Sequence, residues 1–288
     1  MSFPNPAQRV FPAVEATDFR ILARLFPPMP RNRIFFISDF HLGAPDPERS
    51  LLRERHIARW IREVACEASD LYLLGDIFDF WFEYRHAVPK GYIRLLGELA
   101  RFADEGGRIH LFPGNHDLWY RDYLTRQLGA VYYPHPVVQE LFGRRYFIAH
   151  GDGLGPGDRG YKLMRRIVTH PFSERLFRLL HPDLGIGLAL WLSRKGGNHV
   201  YHADHEEQHR GAEAEFLYQH AIAHRRLHPD IHAYVHGHRH LLIDDELESG
   251  ERIVLLGDWE RYYSYLEIHE TGHELRVFPP EGGFGSLL

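Results

Sequence analysis

A single cysteine, Cys66, excludes an internal disulfide, and one thiol fits a chain held in a reducing compartment. Long apolar runs are missing too: no stretch reaches the roughly 18 uninterrupted apolar residues of a membrane-spanning helix. Residues 1–30 scatter proline among charges and lack the basic start and continuous apolar centre of a secretory leader. Positive charge is not in excess. With 34 Lys and Arg against 39 Asp and Glu the formal charge is −5, which gives no reason to expect nucleic acid as a partner. Internal repeats and low-complexity tracts are likewise lacking. Together these absences lead us to expect a soluble, cytoplasmic protein, with peripheral membrane contact left open.

What is present is ordinary core material and much histidine. A hydrophobic content of 44% and a length of 288 residues suit one generous domain or two small ones. Six short apolar runs, at 34–37, 71–74, 109–112, 146–149, 231–235 and 253–256, are rich in β-formers and bounded by Gly, Pro or polar residues. They predict strands. The first three alternate with helical patterns, clearest over 47–68, where Leu52, Ile57, Trp60, Ile61 and Val64 recur near helical spacing. A layered α/β architecture follows. Polar residues beyond several strand ends would then converge on one rim of the sheet.

Six polar clusters stand at or near those ends: Asp39-Phe40-His41, Gly75-Asp76, Gly114-Asn115-His116-Asp117, His150-Gly151-Asp152, Gly237-His238-Arg239-His240 and Gly257-Asp258. Their oxygen and nitrogen donors are of intermediate hardness, suited to Mn, Fe or Zn rather than to Ca or a thiolate-bound ion. Asp39 and His41, two apart in an extended chain, would point the same way. Asn115 offers a neutral carbonyl oxygen, while the adjacent His116 points elsewhere, available for acid catalysis or for a phosphoryl oxygen. Taken singly, Gly-Asp is a turn, Asp117 is a helix cap, and one of 22 histidines is a poor ligand candidate. The ordered series as a whole implies a site for two metal ions and a hydrolase acting on a phosphate ester or anhydride.

This series resembles the calcineurin-like metallophosphoesterase superfamily, whose pattern of Asp-x-His, Gly-Asp, Gly-Asn-His-Asp, His and Gly-His-x-His is complete here. The resemblance implies a four-layer α/β-β/α sandwich of two mixed sheets, in a domain at 31–288 that follows an N-terminal extension at 1–30. It implies that Asp39, His41, Asp76 and His240 hold one metal, and that Asp76 bridges to a second held by Asn115, His150 and His238. Two cations roughly 3.5–4 Å apart clamp a phosphoryl group and lower the pKa of a bridging water. No protein nucleophile is then required, and Asp76, Asn115 and His116 carry the chemistry, His116 by stabilising the transition state or protonating the leaving oxygen. Asp117 and Asp152 are expected to orient ligands or their loop.

The substrate question turns on the stretch after His150. Helical patterns run over 158–168, again after Pro171, and over 184–192, the last apolar on nearly every face. Positions 158–195 hold eight basic residues and three acidic ones. This insert, at about 154–230, is either a helical cap with solvated charges or a lid that accepts a diphosphate and acyl chains beside an anionic bilayer. The run from His150 through Tyr161, and Gly75-Asp76-Ile77-Phe78-Asp79-Phe80-Trp81, resemble the UDP-2,3-diacylglucosamine diphosphatases of lipid A synthesis. That family cleaves its nucleotide-linked acylated sugar to UMP and 2,3-diacylglucosamine 1-phosphate at the cytoplasmic face of the inner membrane, typically with Mn2+.

By this resemblance Asp158 and Tyr161 contact the substrate head group and the insert shelters its acyl chains. One position departs, since many family members carry Arg where His116 stands. Two other readings compete: a metallophosphoesterase for a cyclic nucleotide, nucleotide or phosphoprotein, and a non-catalytic scaffold, which would have no chemical need for seven metal-binding side chains. Phe78, Phe80, Trp81 and Phe82 either line an acyl pocket or form core. Trp259 either walls the site or packs locally. His199, His202, His205 and His209 suit a solvated helix face better than a metal site.

Overall fold

Alternate residues of each long strand face two different cores, and this divides the fold into layers. The computed structural model describes residues 31–157, 159–196 and 215–280. The chain divides into two units, Met1–Arg31 and Asn32–Leu288, and every named helix and strand belongs to the second. In chain order these are β1 (Arg33–Ile37), α1 (Pro47–Glu63), β2 (Ala68–Leu74), α2 (Ile93–Asp104), β3 (Arg108–Phe112), α3 (Tyr123–Leu128), β4 (Val131–Tyr132), β5 (Val137–Leu141) and β6 (Arg144–Ile148). There follow α4 (Arg159–Val168), α5 (Pro171–Arg178), α6 (Pro182–Gly196), α7 (Phe216–Arg225), β7 (Ile231–His236), β8 (Leu242–Glu246), β9 (Arg252–Leu256), β10 (Ser264–His269) and β11 (Gly272–Val277).

One sheet has the order β11-β10-β1-β2-β3-β4 and the other β5-β6-β7-β9-β8. In the first, β1 to β4 run parallel and β10 pairs antiparallel to β1. In the second, β6, β7 and β9 are parallel while β5 and β8 are antiparallel. Both sheets are therefore mixed. Phe35 and Ile37 of β1, with Leu71 and Leu73 of β2, face Ile57, Trp60 and Ile61 of α1 and Leu95, Leu99 and Phe102 of α2. Ile34, Phe36, Tyr72 and Leu74 point the other way, into a core between the sheets completed by Tyr146, Ile148, Val235, Val254 and Leu256. Phe147, Tyr234, Ile253 and Leu255 turn outward against Leu217, Tyr218 and Ala221 of α7. Helix, sheet, sheet and helix make the expected four-layer sandwich.

Local signals set the helices. Asp46 caps α1, its carboxylate accepting from the N–H groups of Glu48 at 3.0 Å and Arg49 at 2.9 Å, and Pro47 follows at the first helical position. Glu83 does the same for α3 from a distant loop, accepting from the N–H groups of Asp122 and Tyr123.

Helices α4 to α6 stand apart from the four layers. Phe177 of α5 meets Phe80, Phe82 and Trp119 at ring-centre distances of 5.9, 4.7 and 4.9 Å, and the Trp119 indole donates to the Val168 carbonyl at 3.1 Å. Helix α7 lies inside the stretch expected to form the insert, yet it packs as the outer layer on the second sheet. Phe78, Trp81 and Trp259 are fully buried in the first core. His199, His202, His205 and His209 lie outside the described residues.

Candidate metal centre

Six parallel strands deliver the polar clusters to one place. Asp39 follows β1, Asp76 follows β2, Asn115 follows β3, His150 follows β6, His238 and His240 follow β7, and Asp258 follows β9. All six segments lie beyond carboxyl ends of parallel strands, so they share one edge of the double sheet. Backbone hydrogen bonds join these segments: Asp39 N–H to Gly75 O at 3.2 Å, His41 N–H to Asp76 O at 2.9 Å, Gly237 N–H to His150 O at 2.8 Å and Trp259 N–H to Asp39 O at 3.2 Å. A Cβ at Gly114 would run into the Asp76 carboxylate, and one at Gly237 into that of Asp39.

The backbone itself is unusual here. Asp39, His41, Asp76, His238 and His240 have φ of +58°, +44°, +52°, +67° and +49°. They are five of the eight non-glycine residues with positive φ among those described. A side chain in this region costs roughly 1–2 kcal/mol per residue, so the surrounding hydrogen bonds and packing must hold each in place.

The side chains form two adjoining groups. His240 Nε2 lies 3.4 Å from Asp39 Oδ1 and 3.2 Å from His41 Nε2. On the other side His150 Nε2 lies 3.4 Å from Asp76 Oδ2 and 3.2 Å from Asn115 Oδ1. Asp76 Oδ2 is also 3.7 Å from His41 Nε2, so one carboxylate touches both groups. Donor atoms of Asp39, His41 and His240, and of Asp76, His150 and His238, fall within 4.8 Å of one another.

Ring orientations are fixed from behind. His150 Nδ1 donates to the Leu74 carbonyl at 2.6 Å, and His240 Nδ1 faces Asp258 Oδ2 at 3.4 Å. In both rings Nε2 is the nitrogen turned to the carboxylates, the arrangement that sets a histidine tautomer for metal binding. Electrostatics agree with the geometry. Burial opposes charge on Asp76, but His150 and His116 overcome it and hold the carboxyl well below the usual range. Burial would also lower His150, yet Asp76 raises it to about 10, holding at Nε2 a proton that a divalent cation bound there would displace. His238 is pushed down to about 4 by burial and then by His150, leaving it neutral as a ligand must be. Two fully buried carboxylates drawing positive charge, ringed by nitrogen and amide-oxygen donors, fit a pair of divalent cations.

His116 lies beside this cluster, its donor atom within 4.8 Å of those of His41 and Asp76. Its Nδ1 is 3.2 Å from Asp79 Oδ1 and 3.3 Å from the Asp79 carbonyl. Burial works against protonation, but Asp76 and Asp79 outweigh it and raise His116 to about 9. Asp79, fully buried, draws no role of its own from the sequence; it enters only as part of the run at 75–81, three residues after Asp76 among apolar neighbours.

The expected orienting residues have different tasks. Asp117 accepts from the backbone N–H groups of Gly114, Asp76, Ile77 and Phe78 and from the Tyr120 hydroxyl, and so ties two ligand-bearing loops together. Asp152 holds α4, accepting from the Tyr161 hydroxyl at 2.6 Å and forming an ion pair with Arg165, whose Nε lies 2.8 Å away. Tyr161 therefore faces the His150 loop. Asp158 lies outside the described residues.

Comparison with known proteins gives matches over most of the chain. Residues 32–242 match the family model described as calcineurin-like phosphoesterase. A Porphyromonas gingivalis protein called UDP-2,3-diacylglucosamine hydrolase is 40% identical over 248 residues, covering 82% of this chain and 93% of the relative. A Pseudomonas paraeruginosa protein of the same name is 30% identical over 259 residues, covering 85% of this chain and 99% of the relative.

Proposed function

The chain belongs to the UDP-2,3-diacylglucosamine hydrolase family within the calcineurin-like phosphoesterases, and we propose that it cleaves the diphosphate of UDP-2,3-diacylglucosamine to UMP and 2,3-diacylglucosamine 1-phosphate in lipid A synthesis. It is a metal-dependent hydrolase. The observation that carries the reading is the Asp76 carboxylate set between two ligand groups, 3.4 Å from His150 and 3.7 Å from His41.

Asp39, His41, Asp76 and His240 would hold one ion, and Asp76, Asn115, His150 and His238 the other. We take both ions to be Mn2+, with Fe and Zn also suited to these donors. When bound, two such cations supply Lewis-acid charge to a phosphoryl oxygen and bring the pKa of a water near neutral. The chain's own part is to position and to move protons. Asp79 engages Nδ1 of His116, which leaves Nε2 to donate to a phosphoryl or leaving oxygen. Asn115, next in sequence, keeps its carbonyl oxygen on the His150 side of the cluster. Tyr161 donates its hydroxyl to Asp152, and a phenol oxygen is an acceptor as well as a donor, which suits it to contact the head group; Asp158 is its proposed partner in that contact.

Within a phosphoesterase domain at 31–288, after the extension at 1–30, we assign the lid to α4–α6. Its apolar side chains are poorly covered: Leu179 is 83% exposed, Leu184 69% and Phe172 67%. Arg159, Lys162, Arg165, Arg166, Arg175 and Arg178 stand on the same helices. Exposed apolar surface with basic residues suits acyl chains and an anionic membrane surface, so we propose peripheral attachment to the cytoplasmic face of the inner membrane. Among the described residues no helix is long and apolar enough to cross a membrane.

The test is incubation with UDP-2,3-diacylglucosamine and Mn2+ in detergent, with and without chelator, and mass spectrometry of products formed in heavy-oxygen water. Metal-dependent release of UMP and the lipid monophosphate is expected. Hydrolysis of a soluble phosphodiester without cleavage of the lipid would discard the substrate while keeping the reaction class.

A further inference from the structure

The His116–Asp79 pair is not built by the phosphoesterase core alone. Ser193, on α6, places its Oγ 3.0 Å from Asp79 Oδ1 and 3.2 Å from His116 Nδ1. These residues are 114 and 77 positions away in sequence, so the contact exists only when the helical segment is seated on the core. A serine hydroxyl can donate one hydrogen bond and accept others. Here it donates to the Asp79 carboxylate and lies where Nδ1–H of His116 can share its proton between the carboxylate and Oγ.

The seating of α6 has a second anchor. A Cβ at Gly185 would collide with the Tyr84 hydroxyl and press on the Phe177 ring, so near its start the helix approaches the core closely through a residue with no side chain. Gly185 and Ser193 are eight residues apart, about 12 Å along a helix. Between and beside them Leu188, Trp191 and Leu192 are exposed. The helix is thus fixed at two points while apolar side chains such as Leu188 and Leu192 stay exposed.

We infer that Ser193 is a positioning residue for His116, through which the seating of α6 sets the orientation of the imidazole used in the reaction. The hydroxyl adds a further restraint to a ring also held by the Asp79 side chain and carbonyl and by edge-on packing against His41 at 4.8 Å between ring centres. When α6 lifts, His116 keeps Asp79 but loses the group that fixes its tilt, and turnover falls without loss of ground-state binding. The lipid identity of whatever rests on α6 depends on the proposed function; the link from Ser193 to His116 does not.

The experiment uses the full chain with Mn2+ and a small soluble diester, bis(p-nitrophenyl) phosphate, alongside UDP-2,3-diacylglucosamine. Ser193→Ala is expected to lower kcat on both substrates by roughly 10-fold, the lower end for loss of an orienting partner, with KM for the soluble diester unchanged. Ser193→Thr, which keeps the hydroxyl, restores the rate to within about 3-fold, and Ser173→Ala, which removes a lid hydroxyl bonded only to Ile167 O among its described contacts, behaves as wild type. In a His116→Gln background Ser193→Ala adds no further loss, because the two act as one unit. A readout without turnover supports this: in the metal-free protein, ring resonances of His116, assigned by their disappearance in His116→Gln, shift in Ser193→Ala and return in Ser193→Thr. Wild-type hydrolysis of the soluble diester by Ser193→Ala, or losses from Ser193→Ala and His116→Gln that multiply, would overturn the inference. Failure of the lipid substrate alone would count against the proposed function and leave the soluble-diester comparison standing.

Discussion

Replacing Asp117 by Asn tests how much of the metal centre is held by a residue that binds no metal. Its carboxylate is fully buried and accepts from Gly114 N–H at 2.7 Å, Ile77 N–H at 2.8 Å, Asp76 and Phe78 N–H at 3.2 Å each and the Tyr120 hydroxyl at 2.5 Å. An Asn carbonyl in place of Oδ2 keeps Ile77, Phe78 and Tyr120, but its NH2 then confronts the N–H groups of Gly114 and Asp76. Two hydrogen bonds to a charged acceptor are lost, at about 1.5–3 kcal/mol each, or about 3–6 kcal/mol together. Burial, and then the neighbouring Asp76, already raise the Asp117 carboxyl, so removing the charge recovers part of this and the lower end applies. At about 2–4 °C per kcal/mol for a chain of this size, the metal-free protein should melt roughly 6–12 °C lower by calorimetry at neutral pH. Because the orphaned donors belong to the loops carrying Asp76 and Asn115, Mn2+ affinity by titration calorimetry should also fall roughly 10–100-fold. A melting temperature within about 2 °C of wild type, with unchanged Mn2+ affinity, would refute the reasoning.

Asp76→Ala and Asn115→Ala should each abolish turnover of the soluble diester while circular dichroism stays that of the native fold; retained activity in either would contradict the shared-carboxylate arrangement. Asp258→Asn should weaken Mn2+ binding roughly 10–100-fold, since one amide oxygen cannot serve both His240 Nδ1 and the N–H groups of Glu260 and Arg261, and equal affinity would show that His240 needs no such support. His220, on α7, is pushed down to about 4 from an ordinary 6.5 by burial, then by His224 and Lys162. Between those pH values the unfolded chain holds more protons at this position than the folded one, so stability rises with pH across the window and is lost as pH falls from 6.5 toward 4. His220→Gln should accordingly lose less stability than wild type between pH 6.5 and pH 5 in urea denaturation; identical slopes would rule out this contribution.

The strands legible from sequence are those that matter to the site. β1, β2, β3, β6, β7 and β9 are buried on both faces by neighbouring layers, so they read as continuous apolar runs. β5, β8 and β11 lie at sheet edges and carry polar residues such as Gln139, Asp244 and Glu274, while β4 is two residues long. β10 lies inside its sheet, but Glu267 interrupts its apolar run; that carboxylate is buried and paired with Arg33 at 2.8 Å and Arg276 at 3.0 Å. At the site, donor types and their order were visible in the chain. The support behind them was not: Asp79 and Ser193 meet across 114 positions, and nothing local in an apolar helix marks one serine as different. Nor does Asp152 declare from its place beside His150 that its partners are Tyr161 and Arg165 of α4.

The left-handed backbone at Asp39, His41, Asp76, His238 and His240 bears on what would happen to a copy of this chain released from its chemistry. The backbone at each of the five would relax on drifting to glycine, by on the order of 1 kcal/mol, although at Asp39 and Asp76 the change would also remove the acceptors of the His238 and His116 backbone N–H groups. A scaffold under no demand but to stay folded has no need of the strain at the three histidines. This sequence keeps a carboxylate or an imidazole at all five, in a conformation such side chains disfavour, which is how a protein looks when stability has been given up for reactivity.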